Sequence, residues 1–268
     1  MDVRKTYKMY AGGEFVRSES GRSYGVDGVN VPRGSRKDLR DAVKAARGAF
    51  SGWSRRTAMN RGQVLYRAAE MLDGRRAQFV ELLGGGRAAR REVERAVEVL
   101  VWYAGWTDKL AQVAGTVNPV AGPYFNFTLP EPTGVVGVVA PSHPALLGLV
   151  QRLAPALCGG NTVVGLLSES EPLAGLTLAE VLATSDVPAG VVNLLSGRRS
   201  ELLPWLAGHM DVNAVDAAGC TDDELTAVEK AAADNVKRVV RLPSRDAMSP
   251  YAVTALMEFK TVWHPIGV

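Results

Sequence analysis

TGVVGVVAPSHPALLGLVQRLAPALCGGNTVVGLL, residues 133–167, decides how the chain folds. Val135–Val139 and Thr162–Leu167 are short β-branched runs, and Leu146–Cys158 between them is a helical stretch. The alternation continues outward: Val191–Leu195, Asn213–Ala217 and Val236–Leu242 are further strand candidates. Leu173–Thr184, Ser200–Gly208 and Asp222–Asn235 are the helices between them. Strand–helix alternation predicts a parallel sheet covered by helices on both faces. Five such strands with right-handed crossovers make a doubly wound, Rossmann-like α/β unit. A ligand of such a unit sits at the carboxyl ends of the strands, here near Pro141, Leu166, Gly197 and Gly219.

Upstream, Met9–Tyr24 reads as short strands around a Gly12-Gly13 turn. Ser35 to Asp38 resembles a capping box and opens a helix with Leu39, Ala42, Val43, Ala46 and Phe50 at helical spacing. Two more helices are predicted, over Ala58–Leu83 and Arg90–Val113, with the flexible joint Gly84-Gly85-Gly86 between them. From Asn118 to Pro132 aromatic and polar residues alternate between prolines, the mark of a hairpin or arm strand. Pro243–Pro250 has the composition of a linker, and Glu258–His264 in the tail is a last strand candidate. The expected division is a helical part over 1–117, a hairpin over 118–132, the sheet over 133–246 and a tail over 247–268.

Composition narrows the function. Hydrophobic residues at 47% and charged residues at 22% are ordinary for a globular protein. The apolar stretches are too short or too interrupted to span a bilayer, and the start has no secretory apolar run, so a cytoplasmic protein is expected. Two cysteines give no disulfide framework, and with three histidines they show no zinc spacing. The net charge is only +3. Arginines gather at Arg87, Arg90, Arg91 and Arg95, but Glu92, Glu94 and Glu98 interleave with them as on a solvated helix face. No groove-reading motif accompanies the charge, so no nucleic-acid partner is expected.

Several collinear segments carry a resemblance: Glu131–Pro141, Ala154–Asn161, Pro188–Gly197, the Gly12–Val16 start, Phe50–Trp53 and Lys260–Pro265. Together they resemble successive signatures of the NAD(P)-dependent aldehyde dehydrogenases across nearly the whole chain. The resemblance implies an oxyanion-stabilising Asn after Pro141, where this chain has Ser142-His143. It implies a ribose-binding Lys where Leu166 stands, followed by a Glu that is kept as Glu169. Of its Gly-x-Gly turn Gly197 is kept and Arg199 replaces the second glycine, either to meet a phosphate or to fill the adenine cleft. Gly219 is kept in the turn before a helix that Thr221 to Glu224 caps, and Asp222 and Asp223 bring negative charge there.

After Leu242 the family continues into a segment with its general base and a catalytic domain with its nucleophilic Cys. Here the chain passes to residues like the family's tail. No residue is therefore expected to be catalytic: Cys158 reads as buried, and Cys220 lacks a neighbouring base. Glu169, Gly197 and Gly219 are the cofactor-binding candidates of a cleft expected to be at most vestigial for NAD(P), with no cofactor in use. The expectation is a pseudoenzyme, a structural or regulatory subunit joined by hairpin and tail to a full-length aldehyde dehydrogenase, or else a homo-oligomer. An NAD(P)-binding sensor or a residual aldehyde oxidoreductase are the alternatives.

Overall fold

The computed structural model describes residues 5–242 and 248–267. Two short hairpins open the chain, β1 (Met9–Ala11) with β2 (Glu14–Val16) and β3 (Ser23–Val26) with β4 (Val29–Pro32). Helix α1 (Arg36–Ser54) then starts on the expected capping box: Ser35 Oγ accepts from the Asp38 amide, and the Asp38 carboxylate accepts from the Ser35 amide. The helix expected over Ala58–Leu83 is two, α2 (Ala58–Gly74) and α3 (Arg76–Leu82). The turn at Gly74-Arg75 lets Phe79 bury completely, which a straight continuation does not require. The next expectation also divides, into α4 (Gly86–Trp106) and α5 (Leu110–Ala114).

β5 (Thr116–Asn118) and β6 (Tyr124–Pro132) lead into the central sheet. There β7 (Val135–Val139), α6 (Ala145–Cys158), β8 (Thr162–Leu166), α7 (Leu173–Ala183) and β9 (Val192–Leu195) form the first half. α8 (Arg199–Gly208), β10 (Ala214–Asp216), α9 (Asp222–Ala232) and β11 (Arg238–Val240) form the second. The sheet order is β11-β10-β7-β8-β9-β1-β2, and the five strands from β11 to β9 are parallel, as expected. The amino-terminal hairpin extends the sheet by two antiparallel strands, Tyr10 opposite Leu194. Part of the expected linker, residues 243–247, lies outside the described residues. Beyond it α10 (Pro250–Thr254) packs on α6, and β12 (Met257–Pro265) pairs along all nine residues with β6. Among the described residues no helix is long and apolar enough to cross a membrane.

The period of two along β7 divides the core. Val136 and Val138 face one cluster, with Leu149, Leu153, Leu178 and Tyr103; Val135 and Val139 face the other, with Leu39, Val43, Leu202 and Leu206. Such a strand, buried on both faces, leaves no water to satisfy its ends. Buried asparagines do so instead. Asn161 Oδ1 accepts from the Gly134 amide at 2.9 Å, while its Nδ2 donates to the Leu256 carbonyl at 3.0 Å. Asn213 Oδ1 accepts from the Val135 amide at 3.0 Å. Gly134 has φ +134°, and a Cβ there would stand 2.2 Å from that same Oδ1, so only glycine fits. Asn161→Ala should leave the Gly134 amide buried and unpaired and take one of two donors from the Leu256 carbonyl, which keeps the Thr133 amide, lowering unfolding free energy by about 1–3 kcal/mol. Urea titration measures this, and a loss under about 0.5 kcal/mol, the range of an ordinary surface change, would contradict it.

Candidate functional site

The chain runs β7, β8, β9 in one direction along the sheet and then returns to β10 on the other side of β7. The loops after β7 and β10 therefore part, leaving the crevice that doubly wound sheets use for ligands. Gly219 sits there by necessity: its amide donates to the Val139 carbonyl at 3.0 Å, and a Cβ would lie 2.3 Å from the Ala140 carbonyl oxygen. Arg199, at the start of α8, reaches across. Its Nη1 donates to the Gly219 carbonyl at 2.6 Å and its Nη2 to the Ala140 carbonyl at 3.1 Å. Glu224 in the first turn of α9 stands 3.3 Å from the same guanidinium. The side chain is 16% exposed, so Arg199 fills part of the crevice.

Glu169 lies three residues beyond the end of β8 and accepts twice from the start of α8. Arg198 Nη1 donates at 2.5 Å and the Arg199 amide at 2.9 Å. Burial pushes its carboxyl upward, but these two donors and the nearby charges outweigh burial and hold it below the usual glutamate range. Glu169, Arg198, Arg199, Glu224, Ser142, Ser170, Tyr24 and Asp27 line an open cavity of about 490 Å³. Of the three sequence candidates, Glu169 and Gly219 meet here, joined through Arg199. Gly197 is placed differently: a Cβ on it would meet the Leu202 side chain at 2.8 Å and the Gly34 amide at 3.1 Å, so packing against the amino-terminal segment holds it. Leu166 is 3% exposed and belongs to the apolar cluster under α1 and α8.

Other sequence candidates take ordinary places. His143 is mostly exposed, with Nε2 3.1 Å from Glu171 Oε1. Cys158 and Cys220 are buried. Burial pushes the Cys158 thiol up to about 12; burial and then the Glu224 carboxylate push Cys220 up to about 11. Asp222 is paired with Arg241 at 2.7 Å. Glu92, expected on a solvated face, instead accepts the Leu146 and Leu147 amides at 2.8 and 3.2 Å, capping α6 from another helix. No local signal in the sequence marks it, because the partner is over fifty residues away. Among the described residues no group of three or more His, Cys, Asp or Glu side chains is placed to hold a metal.

The fold and the crevice define a doubly wound protein of the dinucleotide-binding type. The aldehyde dehydrogenase family matches residues 24–245, and the chain belongs to that family. It is similar to retinal dehydrogenase 2 of Mus musculus, 35% identical over 255 residues covering 89% of this chain and 48% of that one. It is also similar to aldehyde dehydrogenase, cytosolic 1, of Elephantulus edwardii, 32% identical over 248 residues, covering 87% and 49%. The NAD+ complex of an aldehyde dehydrogenase from Bacillus cereus superposes with a TM-score of 0.81 at 28% identity, covering 88% of this chain and 50% of that one. The chain spans about half the length of the relatives it matches.

Two expectations are corrected. A pseudoenzyme is overturned by relatives whose names are those of enzymes. The expectation rested above all on family segments that this chain lacks after Leu242, and a chain spanning about half its relatives' length does not carry that inference. The absence of a cofactor is overturned by an NAD+ complex on this fold. Leu166 removes one donor by packing into the core, but strand ends and backbone build the crevice, and it remains open with Glu169 in its wall. At pH 8 a thiol at about 11 is ionised in roughly one molecule per thousand. Neither cysteine should react with a thiol reagent within minutes in the native protein, while both should in urea. Rapid native labelling that disappears in Cys220→Ser would contradict the burial described here.

Proposed function

We propose that this chain provides the dinucleotide-binding part of an NAD(P)-dependent aldehyde oxidation in the cytoplasm. The observation carrying this reading is the placement of Glu169 at the mouth of the crevice, its carboxylate part-exposed beside the switch point of the sheet. The residues suit the polar groups of a dinucleotide. Glu169 has lone pairs left to accept from ribose hydroxyls, while the guanidinium of Arg199, bonded to the Ala140 and Gly219 carbonyls, fills part of the space beside it. Bound there, the nicotinamide supplies the acceptor for a hydride. The residues of the chain bind and orient it.

NAD should raise the melting temperature, since a ligand held only by the native state adds about 2.7 kcal/mol at a hundredfold excess over its Kd. Glu169→Ala should remove most of that rise. Arg199→Gly, which clears the crevice, should lower the Kd for NAD in calorimetry. No response to NAD or NADP at about millimolar ligand, a concentration that detects even weak sites, would overturn the reading.

A second observation favours association with another chain. The register of β5, β6 and β12 places Val117, Phe125, Leu129 and Val262 on one face of a three-stranded sheet, all more than 40% exposed. β12 also has no strand on its outer side among the described residues. Exposed apolar faces and open edges mark docking surfaces, and strand addition is the usual remedy. We propose that a full-length aldehyde dehydrogenase covers this sheet, with a second copy of the chain as the alternative. Co-expression and size exclusion should give a mixed species that is lost on deleting residues 251–268. A monodisperse monomer that ignores such a partner would sink the proposal.

A further inference from the structure

We infer that a cavity at the end of the sheet opposite the crevice is a binding site for a small monocarboxylate with an apolar body, held by Arg61 and Arg55. The cavity, about 590 Å³, lies where Thr133 leads into β7 and Gly159 ends α6, at the amino ends of the parallel strands. Its size is ordinary for a small-molecule site, roughly 300–1,000 Å³. Arg61, near the start of α2, carries the inference. Its Nη1 donates to the Arg56 carbonyl at 2.7 Å and to the Ser54 carbonyl at 3.4 Å. The other edge of the guanidinium is unmet among the described residues: Nε is buried without a partner, and Nη2 beside it has no acceptor. No carboxylate there pairs with Arg61 either, and burial holds its pKa below the ordinary arginine range. The carboxyl end of α6 is close, since a Cβ on Gly160 would stand 3.6 Å from Arg61 Cζ. A helix end carries only about half a negative charge, so it attracts the guanidinium without neutralising it. The partner this edge lacks is a carboxylate, whose two oxygens match parallel N–H donors.

The surroundings of Arg61 define the ligand. Arg55, exposed on the rim, donates to the Ser51 carbonyl and has no carboxylate partner among the described residues. Asp108, Glu131 and Glu258 also line the cavity and oppose an anion. Each already has a cation of its own: Lys109 at 2.8 Å, Lys260 at 2.6 Å and Arg238 at 3.1 Å respectively. Arg55 and Arg61 are therefore the charges left to recruit an anion. The same three carboxylates repel a doubly charged phosphate more than a single charge, which favours a monoanion. The rest of the wall is apolar, with Phe50, Leu110, Pro132 and Met257. A carboxylate on an alkyl or aryl body fits both parts. No residue lines both this cavity and the crevice, so the site stands independently of the dinucleotide reading.

The test is calorimetric titration of the whole chain with sodium hexanoate at neutral pH, with hexanol, acetate and inorganic phosphate as comparisons. Hexanoate should bind with a Kd of about 1 mM or below, the scale open to so small a ligand. Hexanol lacks the charge, acetate lacks the body and phosphate carries too much charge; each should bind about tenfold more weakly or not at all. Arg61→Gln should weaken hexanoate about tenfold, and Arg55→Ala about threefold, because its charge is exposed. Arg61 also holds two carbonyls, so the amide chemical shifts of the unaltered protein supply a check that needs no variant. Hexanoate should move the Leu110, Thr133 and Gly159 amides. The inference is overturned by no binding, by hexanol or phosphate binding as tightly, or by an unchanged Kd in Arg61→Gln. Shifts gathered at Gly197 and Gly219 instead would overturn it too.

Discussion

Asn161, Asn193 and Asn213 impose the condition on which the rest of the molecule rests. A sheet buried on both faces has to satisfy the backbone groups at its strand ends without water. Asn161 and Asn213 close the Gly134 and Val135 amides at the start of β7. Asn193, fully buried in β9, accepts from the Gly12 amide at 2.8 Å and so ties the amino-terminal hairpin to the edge. With their starts fixed, β7 and β10 run parallel in one register, Val136 beside Ala214 and Val138 beside Asp216. Their carboxyl ends then come level. That brings the Ala140 and Gly219 carbonyls near enough for one guanidinium to reach both.

The charges around the crevice differ in what they contribute. Arg199 is largely buried and bonds two carbonyls and a carboxylate, so removing its partners would leave a costly desolvated charge. Arg198 and Glu169 form a shorter contact but a more exposed one, and solvent discounts it. Deeper still, Arg152 and Asp216 face each other at 3.6 Å with almost no exposure. Burial raises the Asp216 carboxyl above its usual range although Arg152 opposes the shift, as expected where desolvation exceeds a pair's attraction. Arg152 also donates to the Leu242 carbonyl, tying α6 to the chain beyond β11. Buried charges thus stand behind the crevice, and the more exposed pair stands at its mouth.

Locally encoded features could be read in advance. The β-branched runs of the five parallel strands, the capping boxes at Ser35 and Thr221, and the alternation over Tyr124–Leu129 each depend on neighbours a few residues apart. The places of Glu169 and Gly219 beyond the ends of β8 and β10 could also be read, because collinear motifs put them there. The helix breaks at Gly74-Arg75 and Thr107–Lys109 were not read from the helical spacing, which continues through both; Phe79 and Leu110 are buried just beyond them. The same holds for Glu92, which is one charge among many until α6 comes to rest on it.

By itself the sequence determined the class of fold, the order of the parallel strands along the chain and the family, since periodicity and motif spacing are properties of the chain. It left open what Arg199 does, and it implied a cleft emptied of purpose from the loss of a lysine at Leu166. Tertiary structure shows where both side chains lie. Leu166 faces an apolar cluster, where a charged amine would be desolvated, and Arg199 finds its acceptors on two strands that lie far apart in the chain. A side chain's role at a strand end depends on which carbonyls and charges the sheet brings beside it, and that is fixed only when the strands have paired.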